Sequence, residues 1–100
     1  LDFTNEMQKR VEMIVSERER LAAALGRLPG ITVYPSGANF LLVRALGLDL
    51  WSQLVSRGVL VRDFSTRPRL EDCLRITIGT PEENTILIST IAAILEETNL

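Results

Sequence analysis

Between Leu74 and Glu83 the chain reads LRITIGTPEE, and two structural periods meet there without a linker. Leu74, Ile76 and Ile78 alternate with Arg75 and Thr77, which predicts a strand with one apolar and one polar side. Beyond Gly79, Thr80 stands as N-cap, Pro81 as the first helical residue and Glu83 as the acid that reaches back, a complete capping box. A strand that runs straight into a helix start must lay that helix against its sheet, so the local grammar demands a helix layer on a sheet layer.

The helix so started carries Leu87, Ile88, Ile91, Ile94 and Leu95 on one stripe down to about Glu97. At the other end, Met7, Val11, Ile14, Leu21, Leu25 and Leu28 follow three- and four-residue steps and predict a long amphipathic helix over 5–28. Asp2 or Thr4 can cap it, Glu6 and Arg10 form an i,i+4 pair, and Pro29 with Gly30 stops it. Arg18 interrupts the stripe and reads as a snorkelling edge residue.

Ile31 to Tyr34 and Asn39 to Val43 read as a hairpin closed by Pro35, Ser36, Gly37 and Ala38. The apolar run Phe40, Leu41, Leu42, Val43 predicts an interior strand covered on both sides, with 31–34 nearer the edge. Leu48 to Arg57 predicts a second helix ending at a left-handed Gly58. Val59 to Arg62 and Leu74 to Ile78 are the last two strands. The expected fold is an α/β two-layer sandwich: a small, largely antiparallel sheet with three helices, in the order α-β-β-α-β-β-α.

At 100 residues the chain suits one domain spanning 1–100, burying roughly two-thirds of its unfolded surface. A net charge of −2, from 11 basic and 13 acidic residues, supplies no positive field for nucleic acid. Cys73 is the one cysteine, so neither an internal disulfide nor a cysteine metal site is expected. A reducing cytoplasm fits. With no histidine, triad chemistry and most transition-metal sites are disfavoured. Apolar runs fall short of the ~20 residues that a membrane helix needs. A start at Leu1, almost directly inside a helix, reads as a piece of something longer.

Arg62 and Arg75 each sit near the end of a strand-like run with a polar loop between them. A guanidinium in a protein needs an anion, and its planar fork matches carboxylate or phosphate. Asp63, Glu71 and Asp72 could supply that anion internally, or a ligand could; spacing leaves both open. Arg67 and Arg69 read as solvated loop charges, Trp51 and Tyr34 as packing residues, and Asn39 as a loop-backbone partner. Lys9, the one lysine, falls on the wet side of the first helix, a poor place for a Schiff base. The residues offer anion binding with no catalytic group, cofactor cradle or metal site beside it.

VLVRDF followed by CLRITIGTPEEN, preceded by PSGANFLLVR and ERERLAAALGRLPGITVYP, resembles the C-terminal small domain of histidinol-phosphate aminotransferases, enzymes of the pyridoxal-phosphate fold-type I group. The resemblance covers nearly the whole chain. It implies amino transfer between L-glutamate and imidazole acetol phosphate, in histidine biosynthesis, on pyridoxal 5'-phosphate. By the same resemblance Arg75 binds the substrate carboxylate and phosphate, and Arg62 is a second anion-binding residue. The family's Schiff-base lysine, pyridine-pairing aspartate and cofactor-phosphate ligands belong to a preceding large domain, so these residues alone are expected to be inactive and to hold no cofactor. A homodimeric parent is implied, as is an apolar face left bare without the rest of it. Threonine-phosphate decarboxylase, or another aminotransferase, is the related alternative. A non-catalytic α/β interaction module with internally paired arginines is the unrelated one.

Overall fold

The computed structural model describes residues 3–34, 39–59, 61–63, 65 and 68–98. The hairpin loop 35–38, Asp2, the side chain of Thr4, Leu60 and Arg67 lie outside the described residues. The elements run α1 (Phe3–Gly26), β1 (Ile31–Tyr34), β2 (Phe40–Ala45), α2 (Leu50–Ser56), β3 (Arg62–Asp63), β4 (Cys73–Thr77) and α3 (Pro81–Thr98), the expected order. The strands form one sheet, β1-β2-β4-β3, antiparallel at every pairing.

Local chemistry accounts for the boundaries. The α3 box closes in both directions: Glu83 N–H donates to Thr80 Oγ1 at 3.2 Å, and Thr80 N–H donates to Glu83 Oε1 at 2.9 Å. At the end of α2, Val59 N–H donates to Leu54 O and Gly58 N–H to Val55 O, with Gly58 at φ +82°. This is a Schellman turn, which leaves its glycine left-handed. Asp49 caps α2, accepting from Ser52 N–H and Ser52 Oγ–H. α1 stops at Gly26 instead of Leu28, because Pro29 pushes the residue before it out of helical geometry and glycine resists helix. β3 has two paired residues, Arg62 and Asp63, so of the expected 59–62 only Arg62 falls in the strand; Val59 is spent on the α2 turn.

Leu41, Val43 and Ala45 of β2, with Leu74 and Ile76 of β4, meet Leu21 and Leu25 of α1, Leu50 and Leu54 of α2, and Leu87, Ile91 and Ile94 of α3 in one core. Arg57, the C-cap residue of α2, pairs with Glu97 of α3, tying the two helices at their C-terminal ends. The interior place of β2 is as expected, but its two-sided covering is not: Phe40 and Leu42 are half-buried on the side away from the core. Their apolar character suits the lining of an open sheet face as well as a helix-packed one, so composition alone cannot separate the two.

α1 divides in the same manner. Leu21 and Leu25 are fully buried, whereas Met7 and Val11 on the same stripe are 65% and 59% exposed. The helix spans about 36 Å at 1.5 Å per residue, longer than either minor dimension of the molecule, 28 and 23 Å. Its N-terminal half therefore projects past the core.

Candidate functional site on the open sheet face

Directly opposed residues of antiparallel strands share a sheet face. Arg75 lies opposite Leu42 on one side and Arg62 on the other, so both arginines point away from the helices, on the face of Tyr34, Phe40, Leu42 and Arg44. The two side chains are thus immediate cross-strand neighbours, as their alternation in sequence predicts. Like charges in that relation repel.

The internal anions considered for them are engaged elsewhere. Asp63 accepts from Ser65 N–H at 2.9 Å, Asp72 from Gly47 N–H at 2.8 Å, and Glu71 lies 4.0 Å from Arg44. Among the described residues no ion pair involves Arg62 or Arg75. Arg62 is exposed. Arg75 is half-buried, its guanidinium 5.1 Å from the Phe40 ring centroid, and its Nε is buried without a hydrogen-bond partner among the described residues. A buried donor left open is uncommon in folded proteins and marks a place where something else binds or strain is stored. The aromatic face supports the cation without neutralising it, leaving the fork available to an anion.

The other residues weighed from sequence fall as follows. Trp51 packs toward the β3 edge and donates from Nε1 to Val61 O at 3.0 Å. Tyr34 lies beneath Arg44 and accepts its hydrogen bond. Arg69 is exposed in the loop, Asn39 is exposed with its carbonyl accepting from Ile78 N–H, and Lys9 is exposed on α1.

Two features escaped the sequence reading. Arg44 ends the VR pair of β2 and looks like a terminal charge, yet it bonds across to the β3–β4 loop. Glu17, Arg20 and Asn84 form a polar knot between α1 and α3: Arg20 and Asn84 both donate to Glu17, and Asn84, 2% exposed, also bonds both Gly79 N–H and Gly79 O. Hydrogen bonds from Arg20 and then Asn84 hold the Glu17 carboxyl below its ordinary pKa. Only the Glu17–Arg20 spacing of three was visible in sequence, a pattern too common to single out.

Residues 1–91 match the aminotransferase class I and II family. The chain belongs to that family. Among curated relatives, the histidinol-phosphate aminotransferase of Roseiflexus castenholzii is 48% identical over 97 residues, covering 91% of this chain and 26% of the relative. The chain thus spans about a quarter of the length of the curated relatives it matches. Among solved structures, the histidinol-phosphate aminotransferase of Clostridium acetobutylicum superposes with a TM-score of 0.86 over 95% of this chain and 30% of its own, at 23% identity. The L-threonine-O-3-phosphate decarboxylase of Porphyromonas gingivalis superposes at 0.78, over 86% of this chain and 28% of its own, at 31% identity. The described residues do not fit the family's cofactor: the one lysine is exposed on a projecting helix, and no phosphate cradle lies near it among them.

Proposed function

We propose that this chain is the substrate-side, C-terminal domain of a pyridoxal-phosphate-dependent histidinol-phosphate aminotransferase, which moves an amino group between L-glutamate and imidazole acetol phosphate. The carrying observation is Arg75, whose buried Nε has no partner among the described residues while Arg62 stands directly across from it. Two guanidinium groups on one face suit a substrate that bears carboxylate in one half-reaction and phosphate in the other.

Arg75 grips the anion and orients the amino-bearing carbon; Arg62 adds charge at the rim. The cofactor, held by residues outside this chain, supplies the electron sink for amino transfer. The exposed Met7–Val11 stripe of α1 supports docking against a preceding large domain of the same polypeptide. In the parent we expect a homodimer working in the cytoplasm.

The deciding experiment is an assay of the full-length protein with L-glutamate and imidazole acetol phosphate, following 2-oxoglutarate release. Turnover on that pair, with none on O-phospho-L-threonine, is expected. Carbon dioxide release from O-phospho-L-threonine without 2-oxoglutarate formation would move the chain to the decarboxylase branch, and no activity on either would return it to a binding module.

A further inference from the structure

Arg44 shares the open face with Arg62 and Arg75 but is fully engaged within the protein. Its Nε donates to Glu71 O at 3.0 Å, one Nη donates to Tyr34 Oη at 2.7 Å, and the other donates to Arg69 O at 2.5 Å, while its Cζ lies 5.4 Å from the Tyr34 ring centroid. Two of these acceptors are main-chain carbonyls of the loop joining β3 to β4. That loop contains two non-glycine residues in the left-handed region, Arg69 at φ 67° and Asp72 at φ 60°. Such conformations persist only where surrounding contacts over-determine them.

Besides the turn bonds from Ser65 N–H to Asp63 Oδ1 and from Cys73 N–H to Leu70 O, the hydrogen bonds on the described part of the loop come from the end of β2 and the residues just after it. Beside the Arg44 fork, Ala45 N–H donates to Asp72 O and Gly47 N–H to Asp72 Oδ2. Arg44 also stands opposite Cys73 in the register, and Cys73 is only 1% exposed. The pinned loop begins just after Arg62 and ends just before Arg75, so its placement bears on how the two arginines face each other.

We propose that Arg44 is a positioning residue: by bridging the carbonyls of Arg69 and Glu71 it fixes the β3–β4 loop, and through it the mutual setting of Arg62 and Arg75, without touching the substrate. This rests on the anion-site reading above. Lysine keeps the charge but cannot reach two carbonyls with one planar fork.

The test uses the full-length holoenzyme carrying Arg44→Lys, with three readouts. Alkylation of Cys73 by iodoacetamide, followed on its own peptide by mass spectrometry, is expected to accelerate at least about tenfold as the loop loosens. The Kd for inorganic phosphate, by calorimetry, and the KM for imidazole acetol phosphate are each expected to rise about tenfold, with kcat within about twofold. Arg44→Ala should show the same losses, and millimolar guanidinium should restore phosphate binding, which global damage would not allow. Tyr34→Phe, which removes one acceptor and keeps the ring, should move phosphate affinity in the same direction by about two- to threefold, and it carries the test if both Arg44 variants fail to fold. An unchanged Cys73 rate, or a faster rate with unchanged phosphate affinity, overturns the proposal. A wild-type enzyme that binds phosphate but transfers no amino group overturns the aminotransferase reading instead, and the alkylation and phosphate arms still decide the role of Arg44.

Discussion

Two faces of one sheet, built from alternating residues of the same strands, obey opposite rules. On the helix side Leu41, Val43, Leu74 and Ile76 are buried and join one continuous apolar core. On the open side Arg62 and Arg75 stand opposite each other, and Arg75 keeps a buried donor with no partner among the described residues. The first face has its stabilising contacts within the domain; the second holds an electrostatic conflict that an anion would resolve. Neighbouring residues in β4 should therefore fail in different ways.

The largest expected effect is at Ile76. Ile76→Ala removes a side chain packed among the helices and should destabilise the domain by about 2–5 kcal/mol, read from urea unfolding. A loss under about 1 kcal/mol would mean that the helix side is not the stabilising one.

One residue earlier, Arg75→Lys should lower kcat/KM of the full-length enzyme at least about tenfold, roughly 1.4 kcal/mol of transition-state stabilisation, with little change in Tm. Arg75→Met sharpens the contrast. It should abolish activity while leaving stability equal or higher, because an unneutralised charge leaves a partly buried site. Unfolding of either variant would show that the open face is structural after all.

At the corner where β4 turns into α3, Thr80→Ala should cost about 1 kcal/mol through loss of the cap, visible in urea unfolding, with kcat/KM unaffected if the helix layer and the proposed anion site are independent.

The smallest effect concerns the knot between α1 and α3. The folded state holds the Glu17 carboxyl below its ordinary value of 4.5, through hydrogen bonds from Arg20 and then Asn84. A depressed carboxylate pKa contributes stability that is present above the unfolded value and lost as pH falls through the folded one. The urea midpoint should therefore hold steady from pH 8 to about 5 and decline below pH 4.5, and Glu17→Gln should flatten part of that decline. Identical acid limbs in the two proteins would remove Glu17 from the account.

Much of the architecture was legible because its signals are local. The capping box, the glycine after α2 and the alternation that turns Arg75 off the apolar side of β4 each depend on residues within a few positions of one another. What escaped depends on partners far away in sequence. Arg44 finds its acceptors at residues 69 and 71, and Asn84 meets Glu17 across the helix layer. The limits of β3 were set by competition from the α2 turn for Val59, and the bare half of the α1 stripe carries the same apolar code as the covered half. Periodicity tells which side of an element is apolar, not what lies against it.

That bare half has a consequence for the helix–coil balance. α1 is a single ladder of 24 residues, but only its C-terminal half is held by tertiary packing. A stretch of about twelve residues without such support is marginal as a helix in water. Covering the Met7–Val11 stripe would thus stabilise the turns between Phe3 and Ile14 against coil. Docking at that surface would register as backbone order and far-ultraviolet ellipticity as well as buried apolar area, so the helix itself reports whether its partner is in place.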